Sequence, residues 1–309
     1  MKVLVTGASG FIGRHVMELL RYQGVSAWTL GRTPLPGHPS GMHLSCDLLA
    51  GGLDCAAALR RLGASHLLHL AWMTEPVSYQ TSPLNAEWLR ATQSLARTFA
   101  QAGGRHMVVA GTCAEYDWSQ GWCHEDVTPL LPATPYGAAK DATRRWLQDY
   151  GQDHGLRLAW GRIFFPFGNG QANQRLIPAL VSALQGRGPV FPVQALQRRD
   201  FIAVQDVARA LSVLLRSSAQ GCYNISSAEP VAIGELVRTL AQLLDADPEP
   251  ILAVAATGAQ EPVLVAGDHQ RLQALGWDRP APLAAGLAQM MAEIGVTSPP
   301  RPMETDHGR

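Results

Sequence analysis

The 309-residue sequence has no surplus of charge of either sign, since 25 Lys and Arg balance 25 Asp and Glu. Without a basic field, nucleic acid and anionic lipid are not expected partners, and an anionic ligand must be gripped by local groups. Long apolar runs are also missing. None reaches the roughly 18 residues that span a bilayer, and the opening MKVLVTGASG reads as a strand entering a turn rather than a leader. Cysteine is sparse, with residues 46, 55, 113, 123 and 222 showing no C-x-x-C spacing. That scatter argues against zinc or any other metal and against a disulfide framework, and it suits reduced thiols in a cytoplasm. Charged residues make up 16%, too few for a solvated disordered chain, and no internal repeat or low-complexity block occurs.

What is present is 47% hydrophobic residues, enough for one large core or two modest ones. In the first half, the apolar runs VLVTG, SAWTLG, HLLHLAW, HMVVAGT and RLAWGRIF alternate with segments of helical period at 11–22, 83–102 and 137–153. Such alternation predicts an α/β fold, a doubly wound parallel sheet of Rossmann type with right-handed helical crossovers. Continuous apolar strands fit a sheet covered on both faces. After Pro166, Gly, Pro, Asn and Gln accumulate, so the dinucleotide-binding domain is expected over 1–165 and a smaller C-terminal lobe over 166–296. The stretch 200–217 looks like a strand end and helix that return to the first sheet. The Pro-rich residues 297–309 read as a flexible tail.

The strand VLVT runs into Gly7-Ala-Ser-Gly10-Phe-Ile-Gly13 and then a helix, the context that a dinucleotide fingerprint requires. Gly7 permits the turn, Gly10 lets backbone amides approach a pyrophosphate, and Gly13 allows close helix packing. A bare structural turn is the competing reading. About 20 residues on, an NAD site normally offers an acid to the ribose hydroxyl, whereas here the second strand ends in Gly31-Arg32. A guanidinium binds a 2′-phosphate that an acid would repel, so NADP is favoured over NAD, against a merely solvated Arg32. Asp47, after the third strand, is a candidate acceptor for the adenine amine or else a solvated loop acid.

Tyr136 and Lys140 are four apart in YGAAK, on one face of a helix. A phenol ionises near pH ~10, too high for ready proton exchange. An ammonium ~4 Å away at an effective dielectric near 20 contributes roughly 4 kcal/mol, close to three pKa units, so Lys140 is expected to pull Tyr136 down. Thr112 ends the apolar strand HMVVAGT, and strand C-termini in such a sheet face the ligand crevice. Its hydroxyl is placed to hold a substrate oxygen, unless it is only a cap.

With these pieces in order, the chain resembles an extended short-chain dehydrogenase of the NAD-dependent epimerase/dehydratase family, which acts mostly on nucleotide sugars. The resemblance is carried by GASGFIG (7–13), CDL (46–48), HLAW (69–72), GTCAEY (111–116), PYGAAK (135–140), RIFFPFGNGQ (162–171), RRDFIAVQDVA (198–208), YNISSAEPVAI (223–233) and LGW (275–277). It implies that Thr112, Tyr136 and Lys140 are catalytic, with Lys140 also holding the nicotinamide ribose. It further implies cofactor contacts from Gly7, Ser9, Gly10, Phe11, Ile12, Gly13, Asp47, Leu48, Leu70 and Ala71, substrate contacts from Thr74 and Arg199, and a homodimer. Arg199 would meet the diphosphate, or else pair with Asp200 or Asp206.

Departures from the family pattern narrow the reaction. Dehydratases of the family carry Asp-Glu directly after the catalytic Thr, where this chain has Cys113 and Ala114. The epimerase-reductases related to GDP-fucose synthase place a Cys two residues after the catalytic hydroxyl and a His before V-I-P. Here those places hold Ala114 and Arg175, while Cys113, one residue out of register, would face away on an extended strand. Arg175 cannot exchange protons and is expected at phosphate, nucleotide or solvent. The second-phosphate Arg of the family is replaced by Gly258, three before Glu261. What remains moves one hydride and one proton. The expectation is therefore NADPH-dependent reduction of a keto group, at C4 of a nucleotide-linked 4-keto-6-deoxyhexose. A redox-neutral 4-epimerase is the alternative, and a non-catalytic NADP-binding protein is a more remote one.

Overall fold

The computed structural model describes residues 1–50, 56–254 and 262–296. Cys55, the Gly258–Glu261 pair and the expected tail 297–309 lie outside them. The first half runs β1 (Val3–Thr6), α1 (Phe11–Tyr22), β2 (Ala27–Gly31), β3 (His43–Ser45), α2 (Ala56–Leu62), β4 (His66–His69), α3 (Leu84–Gln101), β5 (His106–Thr112), β6 (Trp122–Cys123), α4 (Pro135–His154) and β7 (Arg157–Ile163). The second half adds β8 (Phe165–Phe167), α5 (Leu176–Leu184), β9 (Arg198–Arg199), β10 (Phe201–Ala203), α6 (Val204–Arg216), β11 (Gly221–Ile225), β12 (Val231–Ala232), α7 (Ile233–Leu244) and β13 (Leu264–Gly267). No helix among the described residues is long and apolar enough to cross a membrane.

Seven parallel strands form one sheet in the order β11-β7-β5-β4-β1-β2-β3. Its hydrophobic pattern follows from the pleat, because successive side chains point to opposite faces. Val3 and Val5 pack with Val16 and Leu20 of α1 and Val207, Leu211 and Leu214 of α6. Leu4 faces the other way, joining Leu59 of α2, Leu95 and Phe99 of α3, Leu147 of α4 and Trp160 of β7. The strand order reverses between β1 and β4, and a ligand crevice opens at the carboxyl ends of the strands at such a switch point.

A four-stranded sheet, β12-β9-β13-β6, and the β10–β8 pair lie beyond the large sheet. The second lobe has its own core, in which Leu180 of α5, Leu236 and Leu240 of α7 and Leu287 meet. By packing, residues 204–225 go with the large sheet, where β11 flanks β7 and α6 lies on α1. Conversely, β6 from the first half sits in the small sheet. The chain therefore crosses between lobes several times.

Candidate functional site

At the tip of β1 the glycine loop is fixed by close packing. Gly7 adopts φ +71°, and a Cβ there would meet the Ala71 backbone nitrogen at 2.6 Å and the Leu70 carbonyl carbon at 2.7 Å. A Cβ on Gly13 would collide with the Gly7 carbonyl oxygen. Thus β1, α1 and the end of β4 interlock, which brings Leu70 and Ala71 to the loop. α1 starts at Gly10 with no side-chain cap, and Ser9 and Gly10 are exposed while Phe11 and Ile12 are half-buried. Uncapped first-turn amides with the positive end of the helix dipole fit an anion such as a pyrophosphate. Arg32 is exposed just past β2. Asp47 closes its own turn, accepting the Leu49 amide at 3.0 Å, and Leu48 packs on the core.

The end of β5 and the start of α4 meet across the crevice from this loop. Pro135 occupies the first turn of α4 and the Thr134 hydroxyl accepts the Gly137 amide, so the helix begins sharply and presents Tyr136 and Lys140 on one face. A Cβ on Gly137 would collide with the Ala114 carbonyl oxygen, so the helix rides directly on the turn after β5. Thr112 is nearly buried, and its Oγ1 accepts the Ala114 amide at 3.2 Å. The Thr112 and Tyr136 side chains are hydrogen-bonded. Thr112, Tyr136 and Lys140 are thus gathered in one place.

Electrostatically the pair differs from expectation. Lys140 Nζ donates to the Ala110 carbonyl at 2.9 Å, lies 3.9 Å from the centre of the Trp72 ring, and stands 5.9 Å from the Tyr136 ring. Burial lowers Lys140 to about 7, with Glu115 opposing the shift. Tyr136 goes up rather than down: burial raises it, Tyr79 adds to the rise, and the Thr112 hydrogen bond offsets part of it. The expected ~4 Å ammonium is therefore replaced by a lysine turned to a carbonyl and an indole, and desolvation sets the direction of the shift.

Cys113 is buried, with its thiol held well above the usual range by burial and by Cys123. The reason is not the strand alternation expected of it, because Cys113 opens a 3-10 turn over Cys113–Glu115. Arg175, at the start of α5, donates to the Thr74 carbonyl at 3.0 Å and lies 4.6 Å from the Tyr79 ring, so it ties the lobe to the segment following β4. Arg199 is 4% exposed and donates to the Pro262 carbonyl and to Gln197 Oε1, both at 3.0 Å. The acids expected to compete for it are engaged elsewhere. Asp200 accepts from Ser227 and the Ala228 and Gly267 amides, and Asp206 from Arg209 and the Ala281 amide.

Several residues at the site carry no assignment from the sequence. Trp72 stacks on Trp88, lies edge-on to Tyr136 at 6.4 Å and donates to Asn85 Oδ1 at 2.9 Å. Tyr79 is edge-on to Tyr136 at 5.0 Å, and the Gln80 carbonyl accepts the Tyr136 amide. Behind Thr112, Glu115 is fully buried with Trp160 and Arg162. Trp72 follows β4 directly, so the rule that strand ends face the crevice could have found it. Tyr79 and Glu115 carry no such signal.

Solved proteins of the same fold include complexes with NAD and with UDP-glucose. Residues 3–226 match the family described as NAD dependent epimerase/dehydratase. A UDP-glucose 4-epimerase of Azospirillum brasilense is 29% identical, covering 89% of this chain and 86% of the relative. A dTDP-6-deoxy-L-talose 4-dehydrogenase (NAD(+)) of Aggregatibacter actinomycetemcomitans is 26% identical over 75% and 87% of the two chains. The structure of MoeE5 in complex with UDP-glucose and NAD superposes with a TM-score of 0.80 at 30% identity, covering 96% of this chain and 99% of that one. The Thermus thermophilus UDP-glucose 4-epimerase complex with NAD gives 0.81 at 25% identity, with the same coverage.

Proposed function

The chain belongs to the NAD-dependent epimerase/dehydratase family of enzymes, and from that premise we propose that it interconverts a carbonyl and an alcohol at C4 of a nucleotide-linked hexose, acting as an NADPH-dependent reductase of a 4-keto-6-deoxy sugar. The carrying observation is the gathering of Thr112, Tyr136 and Lys140 with no Asp-Glu pair directly after Thr112: Cys113 is buried with its thiol raised, and Ala114 is inert. Such a centre is suited to moving one proton, which favours carbonyl–alcohol interconversion over an elimination that uses an acid-base pair beside Thr112.

The Gly7–Gly13 loop and the uncapped start of α1 would hold the pyrophosphate of a nicotinamide dinucleotide, which supplies the hydride when bound. Leu70 and Ala71 pack against the loop, and Asp47 with Leu48 would meet the adenine end of the dinucleotide. Thr112 hydrogen-bonds the sugar oxygen while Tyr136, held protonated by burial, gives up its proton to that oxygen. Lys140, on the same helix face as Tyr136, would meet the ribose hydroxyls and favour the phenolate that remains. Thr74, Arg175 and Arg199 would line the approach for the substrate's phosphates and base. Two copies of the chain would pair in solution, and the cytoplasm supplies both NADPH and nucleotide sugars.

NADP preference rests on Arg32, exposed where an NAD site carries an acid. A redox-neutral 4-epimerase is the second reading, favoured by relatives named UDP-glucose 4-epimerase and solved with NAD. A panel of CDP-, dTDP- and GDP-linked 4-keto sugars is to be assayed for NADPH consumption beside UDP-glucose and UDP-galactose interconversion. Consumption stoichiometric with product supports the reductase; turnover without net consumption moves the assignment to the epimerase; no reaction with any sugar defeats both. Tighter binding of 5′-AMP than of 2′,5′-ADP would overturn the NADP preference by itself.

A further inference from the structure

The turn after β5 closes on a carboxylate. Glu115 Oε1 accepts the Thr112 amide at 2.9 Å and the Trp160 indole at 2.9 Å, and Oε2 accepts Arg162 Nε at 2.8 Å. The same closure sets the Ala114 amide on Thr112 Oγ1. A Cβ on Gly111 would strike the Trp160 indole nitrogen, so β5 carries glycine where the indole crosses to the carboxylate. Arg162 is held in turn by the Tyr116 hydroxyl at 2.8 Å. A buried ion pair gives little net stability against apolar residues of the same volume, so its presence immediately behind a reactive hydroxyl calls for another reason.

We propose that Glu115 is a positioning residue of the reaction centre: anchored by Arg162 and Trp160, it closes the turn that holds the Thr112 hydroxyl and acts electrostatically on Lys140. The proposal rests on the assignment of Thr112 and Lys140 to the reaction. The titratable groups that interact with Lys140 are Tyr136 on its own helix, His69 at the end of β4, and Glu115 in the turn after β5. His69 is neutral, lowered to about 3 by burial and by Lys140 itself, and the Tyr136 phenol is raised. Asp141, the next residue on the helix, is taken by Arg144 and Arg145. Glu115, ion-paired with Arg162, is the carboxylate that acts on Lys140. It opposes the desolvation that would strip the lysine of its proton and disfavours premature loss of the Tyr136 proton.

The chain contains two lysines, Lys2 and Lys140, so lysine-selective 13C labelling yields two side-chain signals, and Lys140→Met assigns them. In Glu115→Gln, which keeps shape and an acceptor but loses charge, the Lys140 titration midpoint is expected to fall by about one pH unit or more. Lys2 does not move. Should that variant fail to fold with Arg162 left uncompensated, Glu115→Leu combined with Arg162→Met removes the pair in matched volume. There the Thr112 amide is also expected to exchange with solvent about tenfold faster. A midpoint unmoved within about 0.2 units in a folded variant, or a Thr112 amide as protected as before in the double variant, overturns the proposal. Thr112→Val separates the two assignments: full activity there removes Thr112 from the reaction, while the lysine titration still answers for Glu115.

Discussion

Tyr136 meets its surroundings mainly through aromatic edges, from Trp72 and Tyr79, and through the Thr112 hydroxyl. Its ring can therefore be kept while its proton is removed. Tyr136→Phe is expected to lower kcat by about 10²- to 10⁴-fold, the range for a lost general acid, with cofactor affinity within about threefold of the parent. Single-turnover NADPH oxidation together with a cofactor titration checks both halves. Loss of cofactor binding in parallel with kcat would mean that the hydroxyl acts in binding rather than in proton transfer.

At the scale of elements, the site depends on how closely α1 can lie on β1. Gly13 decides this, since its Cβ would collide with the Gly7 carbonyl oxygen and reach 2.8 Å from Ala8 Cα, both backbone atoms. Gly13→Ala must push the helix away from the loop whose amides it shares. The expected cost is about 1–3 kcal/mol of stability, with at least a tenfold loss of dinucleotide affinity. Gly41→Ala is the control, because a Cβ there meets nothing within 4 Å. Thermal unfolding and cofactor titration of the two variants should separate clearly; equal behaviour would deny α1 its role.

Over the whole molecule, the sheet carries buried histidines that fold neutral. His69 lies between the Thr6 and Thr92 hydroxyls and is lowered to about 3, and His106 is fully buried and lowered to about 4, both mainly by burial. In the unfolded chain each titrates near pH ~6.5. The unfolded state thus binds protons that the fold refuses, so stability is full above pH ~6.5 and declines as pH falls towards the folded values. For His69 the loss at pH 5 is about 2 kcal/mol. His69→Gln is expected to flatten that acid limb in urea unfolding measured between pH 7 and 5. An unchanged limb would place the acid sensitivity elsewhere.

The sequence by itself determined the parallel sheet, its three principal helices and the glycine loop, because the period of apolar residues and the backbone needs of Gly7 and Gly13 are local properties. It also singled out Thr112, Tyr136 and Lys140, since a strand end and an i, i+4 spacing can be read without a fold. Only the tertiary structure decided what surrounds them. Lys140 turns to the Ala110 carbonyl and Trp72, Tyr79 from the segment after β4 reaches Tyr136, and Glu115 joins Thr112 to Trp160 and Arg162, 45 and 47 residues further along. Proton affinities went the same way: the expected fall at Tyr136 became a rise because burial, a property of the assembled core, sets the direction of the shift.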